Sequence, residues 1–320
     1  MTQSFKVSKH DDGRRIDRII RKIWPDLPLG AVMRAFRKGH VRLDGQKVEC
    51  SFHVSEGQLV DVPWEDEATA LRQAVPSARK GQGSSLIEII YADRDICMVN
   101  KPANLLSQPD TKGGESVISR VISTIGWNDP SFSPVPAHRL DRNTSGAMVL
   151  ALTGKGLRSL HEAWREGRVK KTYLALVAGS APLEGEIATP ILKTGEGNIA
   201  VTDGEQGQPA LTRFRKLDGD GSLSLLLVEL LTGRPHQARV HLASKGLPVI
   251  GDIKYGNKKL NEEWRKNGVA RPMLHSRTIE FNEMAEPLGH ISGKRFLAVP
   301  PEDFMIVLAK RGWRLYDRRV

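Results

Sequence analysis

The strongest constraint on this chain is His138-Arg139-Leu140-Asp141-Arg142-Asn143-Thr144-Ser145-Gly146, which runs directly into Ala147-Met148-Val149-Leu150-Ala151-Leu152. Asp, Asn, Thr, Ser and Gly favour turns, because their short side chains bond the local backbone or permit unusual dihedrals. The six apolar residues that follow suit a buried strand. Asp141 is therefore predicted on a loop at the mouth of a sheet, with Arg139 and Arg142 beside it. A carboxylate fixed between guanidinium groups stays ionised and is held in one orientation, as a nucleophile requires. The competing reading is a turn cap bonded only to its own backbone, which loop chemistry alone favours.

Charge narrows the choice of partner. Across 320 residues, 48 Lys and Arg face 37 Asp and Glu, a net charge of +11, with a pI near 9.7. Such a balance favours a polyanion through phosphate contacts and counterion release. Hydrophobic residues make up 39%, enough for a sizeable core. Cys50 and Cys97 stand far apart, which excludes a disulfide framework or a Cys-rich zinc site and fits a reducing cytoplasm. Met1 to His10 carries no apolar signal core. The longest apolar stretch, Leu223 to Leu231, is too short for a bilayer and contains Glu229.

Residues 1–63 read as a small module. Ile16, Ile19, Ile20, Ile23 and Trp24 fall on one helical face, with Pro25 as the stop. A second short helix is predicted from Leu29 to Lys38, with Val32, Met33 and Phe36 inward and Gly39 ending it. Val41-Arg42-Leu43, Asp44-Gly45 and Gln46-Lys47-Val48 then predict a tight hairpin. A last strand runs from Gln58 to Val62. The module holds 12 Lys or Arg against 8 Asp or Glu, more basic than a solvated face needs to be. From Trp64 to Ser85 periodicity is lost and Pro, Gly and Ser mark a linker. The predicted division is 1–63, linker 64–85, and a large domain 86–320.

In the large domain, Leu86–Ile90 and Ile96–Asn100 predict strands, the second ended by Lys101-Pro102. Glu115–Gly126 and Lys155–Glu166 predict helices, the latter with Leu157, Leu160, His161 and Trp164 inward. Tyr173–Val177 predicts a central strand, where a tyrosine is ordinarily core with its hydroxyl satisfied. Gly-rich 187–207 suits hairpins, and Ser222–Leu231 is the most apolar strand. Thr232-Gly233-Arg234-Pro235-His236-Gln237-Ala238-Arg239-Val240-His241 follows. His236 and His241 lack metal-site spacing and no Cys or acidic pair completes a site, so both read as structural and no metal is expected. A C-terminal helix and a basic tail are expected after Pro301.

The His-Arg-Leu-Asp-x-x-Thr-Ser-Gly stretch resembles the signature of the RluA family of pseudouridine synthases. So do Asn100-Lys101-Pro102, Lys171-Thr172-Tyr173-Leu174-Ala175-Leu176-Val177 and the Thr232–His241 segment. The resemblance implies an α+β domain with a mixed, largely antiparallel central sheet and flanking helices. It implies that Asp141 is catalytic, that Tyr173 lies against the uracil, and that Arg234 is the ion-pair partner of Asp141. Arg139 is implied to fill the space a flipped base vacates. Lys101 is given no chemical role. Arg37-Lys38-Gly39-His40-Val41-x-Leu43-Asp44-Gly45-x-Lys47-Val48 resembles the RNA-binding module named after ribosomal protein S-four, with Arg15, Arg37, Lys38 and Lys47 expected on RNA.

Isomerisation of uridine needs neither redox change nor group donor, so no cofactor is implied. Family members with this N-terminal module mostly resemble large-subunit ribosomal RNA enzymes, so the resemblance implies large-subunit ribosomal RNA or its assembly intermediates, with transfer RNA as the alternative. A non-catalytic RNA-binding assembly factor would explain the charge but not Asp141, Tyr173 and Arg234 together. A glycoside or nucleoside hydrolase would need a second carboxylate. Two departures stand out. Asn104 follows Ala103 where the family commonly has Gly, which keeps tolerance of a left-handed backbone. Ala238 stands where the family has Ile or Leu, which leaves the pocket's shape in doubt.

Overall fold

The computed structural model describes residues 3–24, 29–63, 86–110, 114–129, 132–194 and 199–315. The expected linker 64–85, the helix stop at Pro25 and the last residues of the basic tail lie outside the described residues.

The N-terminal segment folds around its own apolar cluster. Strand β1 (Gln3–Lys6) precedes helices α1 (Ile16–Ile23) and α2 (Leu29–Arg37), followed by β2 (Arg42–Leu43), β3 (Gln46–Lys47) and β4 (Leu59–Val62). The sheet order is β1-β4-β2-β3. Ile16, Ile19, Ile20 and Trp24 bury the predicted face of α1 against Val32 and Phe36 of α2 and Val60 and Val62 of β4. Met33 is only half-buried, and Ala35 takes the inward place beside Phe36. Asp44 (φ 49°) and Gly45 (φ 77°) both adopt positive φ, the geometry a two-residue hairpin demands. β1 was not expected, since four residues at a chain end carry too little alternation to register.

This segment rests against the large domain. Asp12 pairs with Lys155, and its carbonyl accepts from the Arg158 guanidinium at 3.1 Å. Glu56 meets Arg94 at 3.4 Å. The buried His10 ring stacks on Phe132 with centroids 5.6 Å apart.

The large domain is built on a ten-stranded sheet. Its strands are β5 (Glu88–Ala92), β6 (Ile96–Lys101), β7 (Val135–Pro136), β8 (Ser145–Ala151), β9 (Val169–Ala178), β10 (Glu184–Ile187), β13 (Thr212–Gly219), β14 (Leu223–Leu230), β15 (Leu274–Phe281) and β16 (Arg295–Leu297). Strands β11 (Ile191–Lys193) and β12 (Ala200–Thr202) form a separate hairpin in the Gly-rich region. The main path is β10-β13-β14-β9-β15-β8-β6-β5, with β7 on β8 and β16 on β15. Every pairing is antiparallel except β15 with β8, which meet through His275–Ser145 and Ser276–Gly146. Gly146 has to be glycine there: its φ is +116°, and an added Cβ would lie 2.1 Å from the Ser276 carbonyl oxygen.

Helices α3 (Val117–Ile125), α4 (Gly154–Arg165), α5 (Gln237–Ser244), α6 (Lys258–Lys266) and α7 (Glu302–Lys310) flank the sheet. The α+β class and the mixed, largely antiparallel sheet match expectation. One face differs. Leu160 is buried as expected, with Leu157 and Trp164 half-buried against the same cluster, but His161 is exposed and Gly156, Ser159 and Ala163 are buried beside Leu160. The cause is close approach: a Cβ on Gly156 would sit 2.6 Å from the Asp95 carbonyl oxygen, so a stripe of small residues turns inward.

Candidate active site

Asp141 opens a turn in which the Thr144 N–H donates to the Asp141 carbonyl at 3.0 Å. The turn is held from below as well as by itself. The Ser107 hydroxyl donates to the Leu140 carbonyl at 2.8 Å and accepts from the Leu140 N–H at 3.1 Å. Lys101, 0% exposed, donates from Nζ to the carbonyls of Pro102 (3.0 Å), Arg142 (3.0 Å) and Thr144 (2.8 Å). All three donors of an ammonium are thereby used. Burial pulls the Lys101 pKa down to about 7, against the opposing charge of Asp141. The Arg271 guanidinium bonds the Asn143 carbonyl at 3.3 Å while forking onto Asp303. Arg142 turns away from Asp141, its Nε donating to Asn104 Oδ1 at 3.0 Å. Asn104 takes the left-handed backbone (φ 63°) its residue type permits.

The guanidinium on Asp141 is neither flanking arginine. Arg234 is the partner implied by the resemblance, and the structure places Arg239 there instead, with Nη1 donating to Asp141 Oδ2 at 2.8 Å. The physical reason is where the helix starts. α5 begins at Gln237, so Arg239 lies in its first turn and faces inward, 7% exposed. Arg234 lies in the preceding loop and donates from Nε to the Pro209 carbonyl at 2.9 Å. Gln237 fixes that loop. Its Oε1 accepts from Thr232 Oγ1 (2.7 Å) and the Arg234 N–H (3.0 Å), and its Nε2 donates to the Leu211 carbonyl and Thr212 Oγ1, both at 3.0 Å.

Arg239 also forks onto the fully buried Asp252, at 2.6 and 2.8 Å. Its guanidinium lies 5.0 Å from the Tyr255 ring centroid. Burial opposes the charge on Arg239, but Asp252 and then Asp141 outweigh it and raise the pKa.

Tyr173 stands in central strand β9, between Val228 of β14 and Ser276 of β15, and is 6% exposed. Burial raises its pKa, a hydrogen bond with the Ser276 side chain opposes the rise, and the charge of Asp141 adds to it. The phenol is therefore protonated at neutral pH. Arg139 is exposed, and its side chain has no hydrogen bond or ion pair among the described residues. Ala238 is buried in the same apolar cluster as Tyr173, Val228 and Leu226.

His236 belongs to this site as well. Its Nε2 is 3.8 Å from Asp141 Oδ1, and its Nδ1 is 2.7 Å from the Tyr255 hydroxyl. Burial lowers its pKa, Asp141 opposes that, and Arg239 reinforces it. The sequence marks His236 only as structural, because its place at the site depends on a left-handed backbone (φ 54°), rare for a non-glycine residue. His241 is structural, bonded to Thr212 Oγ1 and the Thr189 carbonyl. No group of three or more possible metal ligands occurs among the described residues.

In the N-terminal segment, Arg37 and Lys38 are exposed at the end of α2. The Lys47 stem passes 3.2 Å from where a Cβ on Gly39 would sit, so it lies beside the residue that follows Arg37 and Lys38. Arg15 is instead engaged by Asp17, at 3.1 and 3.0 Å.

Residues 95–244 match the RNA pseudouridylate synthase family, a span that includes Lys101, Asp141, Tyr173 and Arg239. The chain is 30% identical over 282 residues to ribosomal large subunit pseudouridine synthase C of Vibrio cholerae, covering 87% of this chain and 88% of that one. It is 32% identical over 281 residues to the protein of the same name from Pasteurella multocida, covering 86% and 84%. The chain belongs to the pseudouridine synthases. Its fold agrees. The human protein RNA Pseudouridylate Synthase Domain Containing 1 superposes with a TM-score of 0.51 at 26% identity, over 72% of this chain and 97% of that one. As a pseudouridine synthase it is an isomerase that converts uridine in RNA, and the half-exposed Asp141 on its buried arginine lies in the family's central segment.

Proposed function

We propose that this chain converts specific uridines of large-subunit ribosomal RNA, in the cytoplasm, with Asp141 as its catalytic carboxylate. The observation that carries the assignment of Asp141 is its 2.8 Å bond to Arg239, itself locked by Asp252. That clamp holds one carboxylate oxygen in place and leaves the other without a hydrogen bond among the described residues. The ribosomal substrate is supported by the names of the curated relatives.

The target uridine leaves the stack, since its glycosidic bond is unreachable inside a helix. Arg139, exposed and unpartnered among the described residues, fills the vacated space. Asp141 promotes breakage of the bond between N1 of uracil and C1′ of ribose. The ring turns, C5 bonds to C1′, the C5 proton leaves and N1 takes one up. Atoms and charge balance, so the product is an isomer. Tyr173 packs its ring against the uracil and acts at the C5 proton. Residues 1–63 serve as an RNA-binding module of the ribosomal protein S-four type, joined through 64–85 to the catalytic domain 86–320. Arg37, Lys38 and Lys47 supply its phosphate contacts.

The test is Asp141→Asn on ribosomal RNA tritiated at C5 of uridine. Asn keeps the shape but lacks the charge, so tritium release should vanish while binding and circular dichroism stay near wild type. A folded variant that isomerises within a few-fold of wild type would remove Asp141 from the chemistry.

A further inference from the structure

Lysines are almost never buried without a partner, because an ammonium taken from water needs acceptors to replace it. Lys101 obeys this rule through three carbonyls. Lys171 does not. It is 8% exposed, yet has no hydrogen bond or ion pair among the described residues. The carboxylates of the site are no help, since Asp141 and Asp252 are both engaged by Arg239. Unlike the ring nitrogens of His10, the Lys171 ammonium is not sealed from solvent.

Its position gives the vacancy a meaning. Lys171 precedes Tyr173 by two residues on β9, so both project from the same sheet face. Its Nζ lies 3.8 Å from where a Cβ on Gly233 would stand. On its other side it adds to the electrostatic environment of His138, which begins the catalytic loop. The cation thus sits between the two loops that bring Asp141 and Arg239 together. Burial lowers its pKa, so an arriving anion would be welcomed by a poorly solvated charge.

We propose that Lys171 binds a backbone phosphate of the RNA strand next to the flipped uridine. This rests on the pseudouridine synthase reading above. The missing counter-charge is supplied by substrate, and Gly233, having no side chain, leaves the approach open.

The experiment uses the full chain and a ribosomal RNA fragment that the wild type modifies in the tritium-release assay. If the wild type modifies none, the underlying reading fails, and this inference with it. Binding is measured over a series of KCl concentrations for wild type, Lys171→Met and Lys171→Arg. One lost phosphate contact should flatten the slope of log K against log salt by about 0.7–0.9 in Lys171→Met. Lys171→Arg should keep the wild-type slope. Lys171→Met should also melt no lower than wild type, because it removes a buried charge that has no partner in the free protein. An unchanged slope overturns the proposal, even with weaker binding, since that would mark a contact to a base. A lower melting temperature overturns it too, because it would show that the ammonium is already paired within the fold.

Discussion

Replacing Arg239 separates the two arginines of the Thr232–Arg239 segment. Arg239 makes three charge-assisted bonds, of 2.8 Å to Asp141 and 2.6 and 2.8 Å to Asp252. Asp252 is fully buried, so Arg239→Met leaves a carboxylate with no counter-charge in the interior. Breaking a buried pair from one side costs about 3–5 kcal/mol. For a domain of this size each kcal/mol lowers the melting temperature by about 2–4 °C, so a drop of about 6–20 °C is expected. Asp141 is half-exposed and survives in water, but it loses its aim, and misplacing a reacting group costs on the order of 100-fold in rate. Arg234→Met removes a bond to one carbonyl, worth about 1 kcal/mol. Its single-turnover rate should stay within a few-fold of wild type. Differential scanning calorimetry and single-turnover tritium release on both variants check this. Loss of activity in Arg234→Met with an active, stable Arg239→Met would refute the reasoning.

Tyr173→Phe should keep most of the RNA affinity and lose turnover by about 100-fold or more, because the ring remains while the hydroxyl is gone; wild-type single-turnover rates would leave the hydroxyl without chemistry. Changing Arg37, Lys38 and Lys47 together to Gln should flatten the salt dependence of RNA binding by roughly 2–3 in slope, read by titration at several KCl concentrations, whereas an unmoved slope would take the hairpin edge off the RNA. Acid should destabilise the fold through His275, whose pKa burial lowers from 6.5 to about 3. Between those values the unfolded chain binds more protons than the folded one, so stability is full above about 6.5 and falls as pH drops toward 3. His275→Gln should flatten that limb in denaturant titrations against pH, and parallel curves would count against it.

What could be read from the sequence depended on how local the deciding force was. The Asp44-Gly45 hairpin needs only two residues that accept positive φ, and both do. Tyr173 sits mid-sheet because a β-prone apolar run has nowhere else to bury itself. The Asp141 partner was a different matter. Arg234 and Arg239 are five residues apart, and which one faces inward depends on the helix starting at Gln237. That start is set by Gln237 bonding Thr232, Leu211 and Thr212, contacts that cross between strands and loop. Lys101 likewise gave no local sign of its role, because its three acceptors include carbonyls 41 and 43 residues away. The outward turn of His161 follows from Asp95, a residue on another element.

On the proposed function, the way Arg239 divides itself lets Asp141 be held and still react. A guanidinium facing a single carboxylate would fork onto both oxygens and leave little lone-pair density free. Here the fork goes to Asp252, through Nε and Nη2, and only Nη1 reaches Asp141. One oxygen of Asp141 is therefore fixed, while Oδ1 accepts no hydrogen bond among the described residues. The nearest donor candidate, His236 Nε2 at 3.8 Å, is beyond bonding reach. His236 is in turn tethered through Nδ1 to a Tyr255 hydroxyl that already accepts the Ala200 N–H. That hydroxyl can then give its own proton to Nδ1, which puts the histidine proton on Nε2, facing Oδ1 across the gap. Two carboxylates on one guanidinium also leave the trio with a net negative charge. On the proposed function, the oxygen of Asp141 that Arg239 leaves unbonded is the one that meets the uridine.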